Sequence, residues 1–533
     1  MRGGVQRGGS GPEPGETAAD DVWVGLDLGT QSARAYVVSG DGRVVGSAGV
    51  ALRSVREGAR HEQDPRQWFE AVAAASRAAL AGIAPERVRG VATCATSGTI
   101  VLVDAAGGPL TPGVMYDDMR AGAQAARIDA SGAFEHPISP SWALPKLLWM
   151  LESWPQLGPG ARLAQQADVV TRALAGHEVP SDCSHALKSG YDQQHETWPW
   201  AELETLGVPG ALLPEVVRGG SLLGEVCPEA AERTGIPPGT PVIAGMTDGC
   251  GAQFAAGAVR AGSWNAVLGT TLVLKGCSEL RVDDPSGLLY SHRAPDGGWL
   301  PGGASSCGAG VLTAHFPGRD LDDLGRRAAA FEGTSALAYP LVTRGERFPF
   351  AAPAAEAFVC GEPAGEAELF AALAQGVAFV ERLCFDYLDL LGAATDGELT
   401  LTGGASRSRP WCQLRADVLG RPVRLVEQPE AAVGMAILAA SASASTSGPA
   451  SASASRWASG PGSASWRGSA GGGGGAAVAS PIARMVRTRE VIAPRTDRAP
   501  ALTASYLRLV DELERRGWLG ERLASHARAR ADA

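Results

Sequence analysis

A Gly-Thr turn that follows a short apolar strand occurs twice in this chain of 533 residues. The first copy is "VGLDLGTQSARAYVV" (24–38), and the second is "NAVLGTTLVLKG" (265–276). Leu-Gly-Thr thus recurs 240 positions apart (268 − 28 = 240). Only the first copy carries an acid, Asp27, ahead of the turn. A chain of this length that repeats such a unit is expected to form two domains rather than one.

Two further elements recur in the same order. The segments "RGVATCATSG" (89–98) and "GELTLTGGAS" (397–406) each predict a strand that enters a loop of small residues. The segments "TPVIAGMTDGCGAQFAAGA" (240–258) and "RPVRLVEQPEAAVGMAILAA" (421–440) each predict a strand, an acid and a helix of small residues. Three matches in order indicate an internal duplication. The sequence therefore predicts two similar α/β halves that face each other across a cleft.

Other patterns set the predicted bounds of the domains. Apolar residues at helical spacing predict a helix over 65–81, and "ALTASYLRLVDELERRGWL" (501–519) predicts an amphipathic helix near the C-terminus. Segments of Ser, Gly and Ala cannot bury enough apolar surface to offset the entropy of ordering. The predicted units are a disordered tail over 1–20, an N-terminal domain over 21–260, a C-terminal domain over 261–440 and 481–533, and a flexible low-complexity insert over 441–480.

Composition excludes several classes of function. The net charge of −10 and the lack of a long basic run argue against nucleic acid or an anionic membrane as the main partner. No run of about eighteen apolar residues predicts a membrane span. The nine cysteines are scattered and never in CxxC spacing, which favours reduced thiols in a cytoplasmic protein. None of the three lysines (Lys146, Lys188 and Lys275) follows a glycine, so a P-loop is excluded.

The repeated turns suggest a shared chemistry. Successive backbone N–H groups in a Gly-Thr turn can bind an anion, and the threonine hydroxyl adds a donor. Two such turns on opposite walls of a cleft would hold a polyphosphate. Asp27 could bind Mg²⁺, which prefers oxygen ligands, and this explains why one turn alone carries an acid. The alternative is that both are ordinary hairpin turns.

Two acidic segments could supply the rest of a site. Asp248 in "GMTDGCGAQ" (245–253) lies where a strand gives way to a helix, so it could cap that helix. It could instead act as a general base that accepts the proton of an attacking hydroxyl. The segment "MYDDMR" (115–120) places two carboxylates beside an arginine, which suits either a sugar-binding site or a solvated turn.

Together these motifs resemble the FGGY carbohydrate kinases. The segments that carry the resemblance are "DLGTQSAR" (27–34), "MYDDMR", "GMTDGCGAQ", "LGTT" (268–271) and "LTGGAS" (401–406). The resemblance implies an α/β fold with two ribonuclease-H-like domains, of the actin, sugar kinase and Hsp70 ATPase type, on either side of a central cleft. It implies ATP and Mg²⁺ as cofactors and a small sugar as the other partner.

The resemblance also implies roles for individual residues. Asp248 matches the catalytic base. The residues implied to bind the sugar are Ser97, Asp118, Arg120 and Asp248. The residues implied to bind ATP are Asp27, Gly29, Thr30, Gln31, Gly269, Thr270, Thr271, Gly403, Gly404, Ala405 and Glu430, with Asp27 also implied to bind the metal.

Within the family, four segments look most like the D-ribulose kinases of plants and cyanobacteria. They are "ATSGTIVLVD" (95–104), "MYDDMRA", "LPKLLWM" (144–150) and "SDCSHALKSGYD" (181–192), although His185 stands where asparagine is expected. The expected reaction is phosphorylation of the terminal hydroxyl of a ketopentose, D-ribulose before D-xylulose or another polyol. A sugar-binding pseudokinase and an actin-fold nucleotide switch are the non-enzyme alternatives, and a homodimer is left open.

Overall fold

The computed structural model describes residues 20–158, 160–331, 333–446 and 481–532. The predicted tail over 1–20, apart from Asp20, lies outside the described residues, and so does the predicted insert from residue 447 onward. Two large mixed sheets organise the described part of the chain.

The first sheet is built around the strand that precedes the first Gly-Thr turn. Its six strands, in spatial order within the described residues, are Leu222–Glu225, Pro241–Ile243, Val88–Ala95, Val22–Leu28, Ser32–Ser39 and Val44–Ala51. Val22–Leu28 pairs parallel to Val88–Ala95 and antiparallel to Ser32–Ser39. This central strand is apolar on both faces because both faces of the sheet are covered.

The second sheet repeats the plan of the first. Its strands, in spatial order within the described residues, are Tyr290–Arg293, Trp299–Ser305, Leu272–Gly276, Trp264–Leu268, Leu399–Thr402, Val423–Val426 and Thr488–Ile492. Its central strand, which precedes the second Gly-Thr turn, again pairs antiparallel within a hairpin and parallel to the strand on its other side. The strand-by-strand correspondence confirms the predicted duplication.

Helices cover both sheets. In the described ranges they are Arg66–Ala79, Gly122–Ser131, Ala143–Ser153, Gln166–Ala175, Cys183–Ala186, Trp200–Thr205, Pro228–Thr234, Asp248–Ala255, Gly310–His315, Leu321–Ala328, Glu366–Leu390, Arg409–Leu419, Ala431–Thr446, Ala499–Arg515 and Glu521–Asp532. Short 3-10 turns span Pro85–Arg87, Leu187–Ser189, Gly210–Leu212 and Gly404–Arg407. The helices predicted over 65–81 and 501–519 are thus observed with slightly different ends.

Two helices of the duplicated units lie between the sheets. Helix Ala431–Thr446 packs on the first sheet, and helix Asp248–Ala255 packs against it and also reaches strand Leu272–Gly276 of the second sheet. Helix Ala431–Thr446 is predicted within the C-terminal domain, yet its buried face joins the core of the first sheet. Its neighbours therefore come from both halves of the chain.

The same helix extends past the predicted start of the flexible insert at residue 441. Ser441 is buried, and its hydroxyl donates to the carbonyl oxygen of Ile437 at 2.9 Å. The hydroxyl of Ser443 donates in the same way to Ala439. The alternating Ala and Ser residues continue the helix to Thr446 because alanine favours helix and serine can bond back to its own backbone. The prediction of a loop from 441 is therefore wrong for residues 441–446.

Smaller elements complete the first half. A five-stranded sheet in the described residues joins Ser54–Glu57, Arg60–Gln63, Gly113–Val114, Ile100–Val103 and Arg162–Gln165. Its strand Ile100–Val103 and helix Ala143–Ser153 share an apolar core separate from that of the first sheet. Two-stranded pairs form between Ser181–Asp182 and Val216–Val217, and between Leu337–Tyr339 and Phe358–Cys360. None of the helices in the described ranges is long and apolar enough to cross a membrane.

Candidate active site

Two carboxylates meet at the end of the first sheet. Asp27 lies at the end of strand Val22–Leu28, and Asp248 opens helix Asp248–Ala255. Burial and the negative charge of Asp248 together raise the pKa of Asp27 to about 6, against the opposing charge of Arg34. Thr247, not Asp248, is the N-cap residue of the helix. The Asp248 carboxylate instead accepts a hydrogen bond from the Gly249 N–H at 2.7 Å.

Positive charges surround Asp248. Burial raises the pKa of Asp248, while Lys188, His185 and Lys275 each oppose that rise. Burial in turn lowers the pKa of Lys188 to about 8, although Asp248 favours its charged form. A buried carboxylate with a raised pKa is a stronger proton acceptor than an ordinary aspartate, which suits a general base.

The first Gly-Thr turn forms the edge of the site beside Asp27. The N–H of Gly29 donates to the carbonyl oxygen of Ser32 at 3.0 Å, which closes the turn. The side-chain amide of Gln63 stabilises the turn by donating to the carbonyl oxygen of Thr30 at 2.8 Å. The adjacent residue, Gln31, is exposed. The contacts that hold the turn are thus made to its backbone. The side chains of Thr30 and Gln31 are not needed to close it.

The second Gly-Thr turn, on the second sheet, is also closed by a hydrogen bond from its glycine N–H, but this bond spans two residues instead of three. The N–H of Gly269 donates to the carbonyl oxygen of Thr271 at 3.1 Å, and the N–H of Gly310 donates to that of Thr270 at 3.2 Å. Gly403 lies beside this turn, since a Cβ there would be 2.6 Å from the carbonyl oxygen of Leu268. The φ of Gly403 is +83°, which also favours glycine. The two loops predicted to bind ATP in the C-terminal half are therefore adjacent.

A cavity adjoins the loop that contains Gly404 and Ala405. Ser408 follows this loop and donates its N–H to the carbonyl oxygen of Ala405 at 3.1 Å. The lining of the cavity includes Gly325, Phe331, Phe370, Ser408 and Trp411. A lining rich in apolar and aromatic residues could hold a flat base such as adenine.

Glu430 contributes a third carboxylate. One of its oxygens, Oε2, is buried without a hydrogen-bond partner among the described residues. Burial raises the pKa of Tyr36, and the negative charges of Glu430 and, to a smaller extent, Asp27 raise it further. The charges of Glu430 and Asp27 therefore both reach Tyr36. A buried carboxylate oxygen without a protein partner fits a hydrated cation.

No group of three His, Cys, Asp or Glu side chains within the described ranges is arranged to hold a metal ion alone. This agrees with the habit of Mg²⁺, which retains waters and usually takes one or two protein carboxylates together with the phosphates of its substrate.

Ser97 faces the other side of the site. Its hydroxyl is buried and has no partner within the described part of the chain. Two lysines hold its loop by the backbone. Lys188 donates to the carbonyl oxygen of Ser97 at 3.1 Å, and Lys146 donates to those of Gly98 and Met115 at 2.6 and 2.8 Å. The loop thus presents a free hydroxyl that a sugar hydroxyl could satisfy.

Asp118 and Arg120 lie in the wall of the site and bind each other. Asp118 is fully buried and accepts from the His61 N–H at 2.8 Å and from Arg120 Nη2 at 2.8 Å. Arg120 also donates to Glu62 at 2.6 Å and lies 4.2 Å over the ring of Trp149. The oxygens of Asp118 already have protein donors. A contact of Asp118 or Arg120 with a sugar therefore stays a prediction.

Three further residues near the site were not predicted from the sequence. The first is Tyr116. Burial and the charge of Asp117 raise the pKa of its phenol. Asp248 adds to this rise, and the side chain of Thr30 opposes it. The others are Lys146 and Lys188. A signal for them exists, because in a chain whose other basic residues are arginine and histidine, all three lysines lie in this region.

Comparisons with known proteins agree with this geometry. The N-terminal domain of the FGGY family of carbohydrate kinases matches residues 22–255, and its C-terminal domain matches residues 264–443. A xylulose kinase of Streptomyces coelicolor is 30% identical over 433 residues, which cover 78% of this chain and 87% of that protein. A xylulose kinase of Escherichia coli is 26% identical over 421 residues, 75% of this chain and 85% of that protein.

Solved structures share the fold. The xylulose kinase of Rhodospirillum rubrum superposes with a TM-score of 0.76 at 24% identity, covering 92% of this chain and 98% of that one. The glycerol kinase of Plasmodium falciparum with ADP gives a TM-score of 0.76 at 16% identity, with the same coverage. The two duplicated domains, the paired Gly-Thr turns and the match of both family domains lead to one conclusion: this chain belongs to the FGGY family of carbohydrate kinases.

Proposed function

We propose that this ATP-dependent sugar kinase phosphorylates the terminal hydroxyl of a ketopentose, with D-ribulose as the first candidate and D-ribulose 5-phosphate as its product. The observation that carries the proposal is the position of Asp248. Its charge acts both on Asp27, which precedes the first Gly-Thr turn, and on Lys188, which donates to the carbonyl oxygen of Ser97. This supports a role for Asp248 between a sugar hydroxyl and a phosphate.

The proposed mechanism uses Asp248 as the general base. Asp248 accepts the proton of the terminal hydroxyl as the oxygen attacks the γ-phosphorus of ATP, and ADP leaves. Lys188 and Lys275 counter the effect of burial on Asp248 and so favour its ionised form, which is the form that accepts the proton. The backbone N–H groups of the turns at Gly29 and Gly269 bind the phosphate oxygens.

We further propose that one half of the chain binds the sugar and the other binds the nucleotide. Residues 21–260 would bind the sugar and supply the base, and residues 261–440 with 481–533 would bind the nucleotide. Closure about residues 255–265 would exclude water, which otherwise competes with the sugar for the phosphate. The loop of the predicted ATP residues Gly403, Gly404 and Ala405 is joined by the hydrogen bond from Ser408 to Ala405 to the cavity described above, which would take the adenosine.

Mg²⁺ fits the acidic side of the site. Asp27 and Glu430 would hold the ion, directly or through water, because Glu430 Oε2 is unpartnered and few cations balance Asp27. When bound, Mg²⁺ neutralises charge on the transferred phosphate. The protein's part is to orient the phosphates and to hold the two carboxylates beside them.

Binding of Mg²⁺ is expected to weaken as the pH falls through about 6. The pKa of Asp27 is raised from 3.8 to about 6, so its carboxyl is protonated in the folded protein below that pH, and the metal must displace the proton. The loss approaches about tenfold for each pH unit. The measurement is the rise in Tm produced by ADP with Mg²⁺, relative to ADP with a chelator, from about pH 5 to 8.

Asp27→Asn is the matched variant for this measurement. Because the nucleotide also titrates near pH 6, the variant retains the pH dependence that belongs to ADP and loses the part that belongs to Asp27. We expect little Mg²⁺-specific stabilisation of the variant at any pH. An Mg²⁺ effect equal to that of the wild type would show that Asp27 is not a metal ligand.

The identity of the ketopentose depends on the wall that contains Ser97. The segments that resemble D-ribulose kinases supply Ser97, Tyr116, Lys146 and Lys188 to one region of the structure, which supports D-ribulose. The relatives named xylulose kinase support D-xylulose as the alternative. The two sugars differ in the configuration at C3, so the donors that face C3 decide between them.

A panel of sugars in an assay for ADP tests this choice. We expect kcat/KM to be highest for D-ribulose in a set of ketopentoses, ketohexoses, glycerol and sedoheptulose. A preference for D-xylulose would select the alternative. Turnover of ATP that no sugar changes would favour a nucleotide switch, and sugar binding without ADP release would indicate a pseudokinase.

A further inference from the structure

A buried histidine, His185, lies beside the candidate active site. Its Nδ1 is 2.5 Å from Oδ2 of Asp182, and its Nε2 is 3.2 Å from the carbonyl oxygen of Ala95. The residue is fully buried. Carboxylate and carbonyl oxygens accept hydrogen bonds, so each ring nitrogen must carry a hydrogen to satisfy its partner. The geometry therefore requires the charged form, an imidazolium.

The partner carboxylate is ionised. Asp182 Oδ1 accepts from the N–H groups of Ser184 and His185, each at 3.0 Å, and from the Ser184 hydroxyl at 2.6 Å. Although burial opposes ionisation, the charge of His185 and these donors hold the pKa of Asp182 below its ordinary value. Despite burial, Asp182 raises the pKa of His185 to about 9. The pair is thus charged at neutral pH.

The short turn formed by Asp182 and helix Cys183–Ala186 contacts both loops of the site. The His185 ring donates to Ala95, which directly precedes the loop of Ser97. The Ser184 hydroxyl oxygen accepts from the N–H of Thr247 at 2.9 Å, and Thr247 directly precedes Asp248. Ala95 and Thr247 also form a parallel β-bridge. One short turn therefore fixes the sugar-side loop and the start of the catalytic helix relative to each other.

We propose that His185, as a buried imidazolium, is a positioning residue that holds the Ser97 loop and Asp248 in register and supplies a fixed positive charge to the base. The assignment rests on the proposed function, since it takes Asp248 to be the base. His185 touches neither sugar nor nucleotide in this scheme and acts through Ala95 and through the turn that begins at Asp182.

Four titratable groups face the His185 ring. Asp182 lies on its own turn, Asp168 on helix Gln166–Ala175, His292 on strand Tyr290–Arg293 and Asp248 on the catalytic helix. Burial raises the pKa of Asp168 to about 6, and burial lowers that of His292 well below its ordinary value. At neutral pH the imidazolium is therefore accompanied by the carboxylates of Asp182 and Asp168 and by the neutral imidazole of His292. With a pKa of about 9, the charge of His185 is constant from about pH 6 to 8.

His185→Gln tests the proposal, because glutamine keeps the size but has no charge and cannot donate from both ends. We expect kcat to fall about 10- to 100-fold, with little change in the KM for ATP. Without the positive charge the pKa of Asp248 rises, so the acid limb of the profile of kcat/KM should move up by about one pH unit. A merely structural residue would not move that limb.

His195→Gln is the matched control. His195 makes the same contact with Asp192, at 2.5 Å between Nδ1 and Oδ2 and with the same spacing in sequence, but its side chain is 69% exposed. We expect kcat and the pH profile of this variant to equal those of the wild type.

Ser184→Ala covers the case in which His185→Gln fails to fold. It keeps the imidazolium and removes the bond to Thr247, so kcat should fall while the acid limb stays in place. Ring-nitrogen NMR of the labelled wild-type protein at pH 7 should show both nitrogens of His185 protonated.

A neutral His185 ring, wild-type kcat in Ser184→Ala, or an unmoved acid limb in His185→Gln would overturn the proposal. Failure of the proposed function looks different, since the wild-type protein would then phosphorylate no sugar. The ring signals would still decide the charge of His185 in that case.

Discussion

Replacement of Asp248 by asparagine is expected to lower kcat for the sugar by about three orders of magnitude, because a general base supplies roughly 10²- to 10⁴-fold. Asparagine keeps the shape of the side chain and its bond from the Gly249 N–H, so the start of the helix should be unchanged. It cannot accept the proton of the attacking hydroxyl. Single-turnover kinetics with the preferred ketopentose measure the loss of chemistry directly.

Binding measurements separate this effect from a loss of structure. The Kd of the sugar and the Tm of Asp248→Asn should stay close to those of the wild type. Asp497→Asn is the control, since its carboxylate is 79% exposed and its ion pair with Arg498 is at 3.8 Å. If Asp248→Asn retained near-normal turnover with intact sugar binding, the base would have to be another group.

The duplicated architecture was predictable from the sequence because it depends on local patterns. Each strand, turn and acid of one half has its counterpart at the matching place in the other, and apolar runs such as 22–28 predict strands buried on both faces. The same patterns predict which loops end at the same edge of a sheet. This is why the sequence suffices to single out Asp27, Asp248 and the two Gly-Thr turns as candidates, whose roles stay predictions.

Contacts between distant segments could not be predicted in this way. Nothing local to "MYDDMR" reveals that Asp118 accepts a hydrogen bond from the N–H of His61, 57 positions earlier in the chain (118 − 61 = 57). Nothing local to Lys188 shows that it reaches Ser97. Such contacts depend on how distant segments of the N-terminal half pack, and a pattern of period 2 or 3.6 carries no information about that packing.

The crossing of the two duplicated helices gives the second large prediction. A Cβ at Gly434 would lie 1.9 Å from the carbonyl oxygen of Gly251 and 2.9 Å from the backbone N of Ala255. These atoms belong to the backbone of the helix that carries Asp248, so no change of rotamer can relieve the overlap. Gly434→Ala must push the helices apart, which in a packed interior costs about 3 kcal/mol of the free energy of unfolding.

The displacement should reach the chemistry as well as the stability. A shift of about 1 Å in a catalytic group can cost roughly 100-fold in rate, so Gly434→Ala should lower kcat as well as Tm. Gly122→Ala is the control, because no atom lies within 4 Å of a Cβ there and alanine favours the helix Gly122–Ser131 in which it lies. Thermal unfolding and kcat of the two variants decide the matter. If Gly434→Ala were as stable and active as Gly122→Ala, the helices could separate without moving Asp248. The close contact between these two helices would then not hold the base in place.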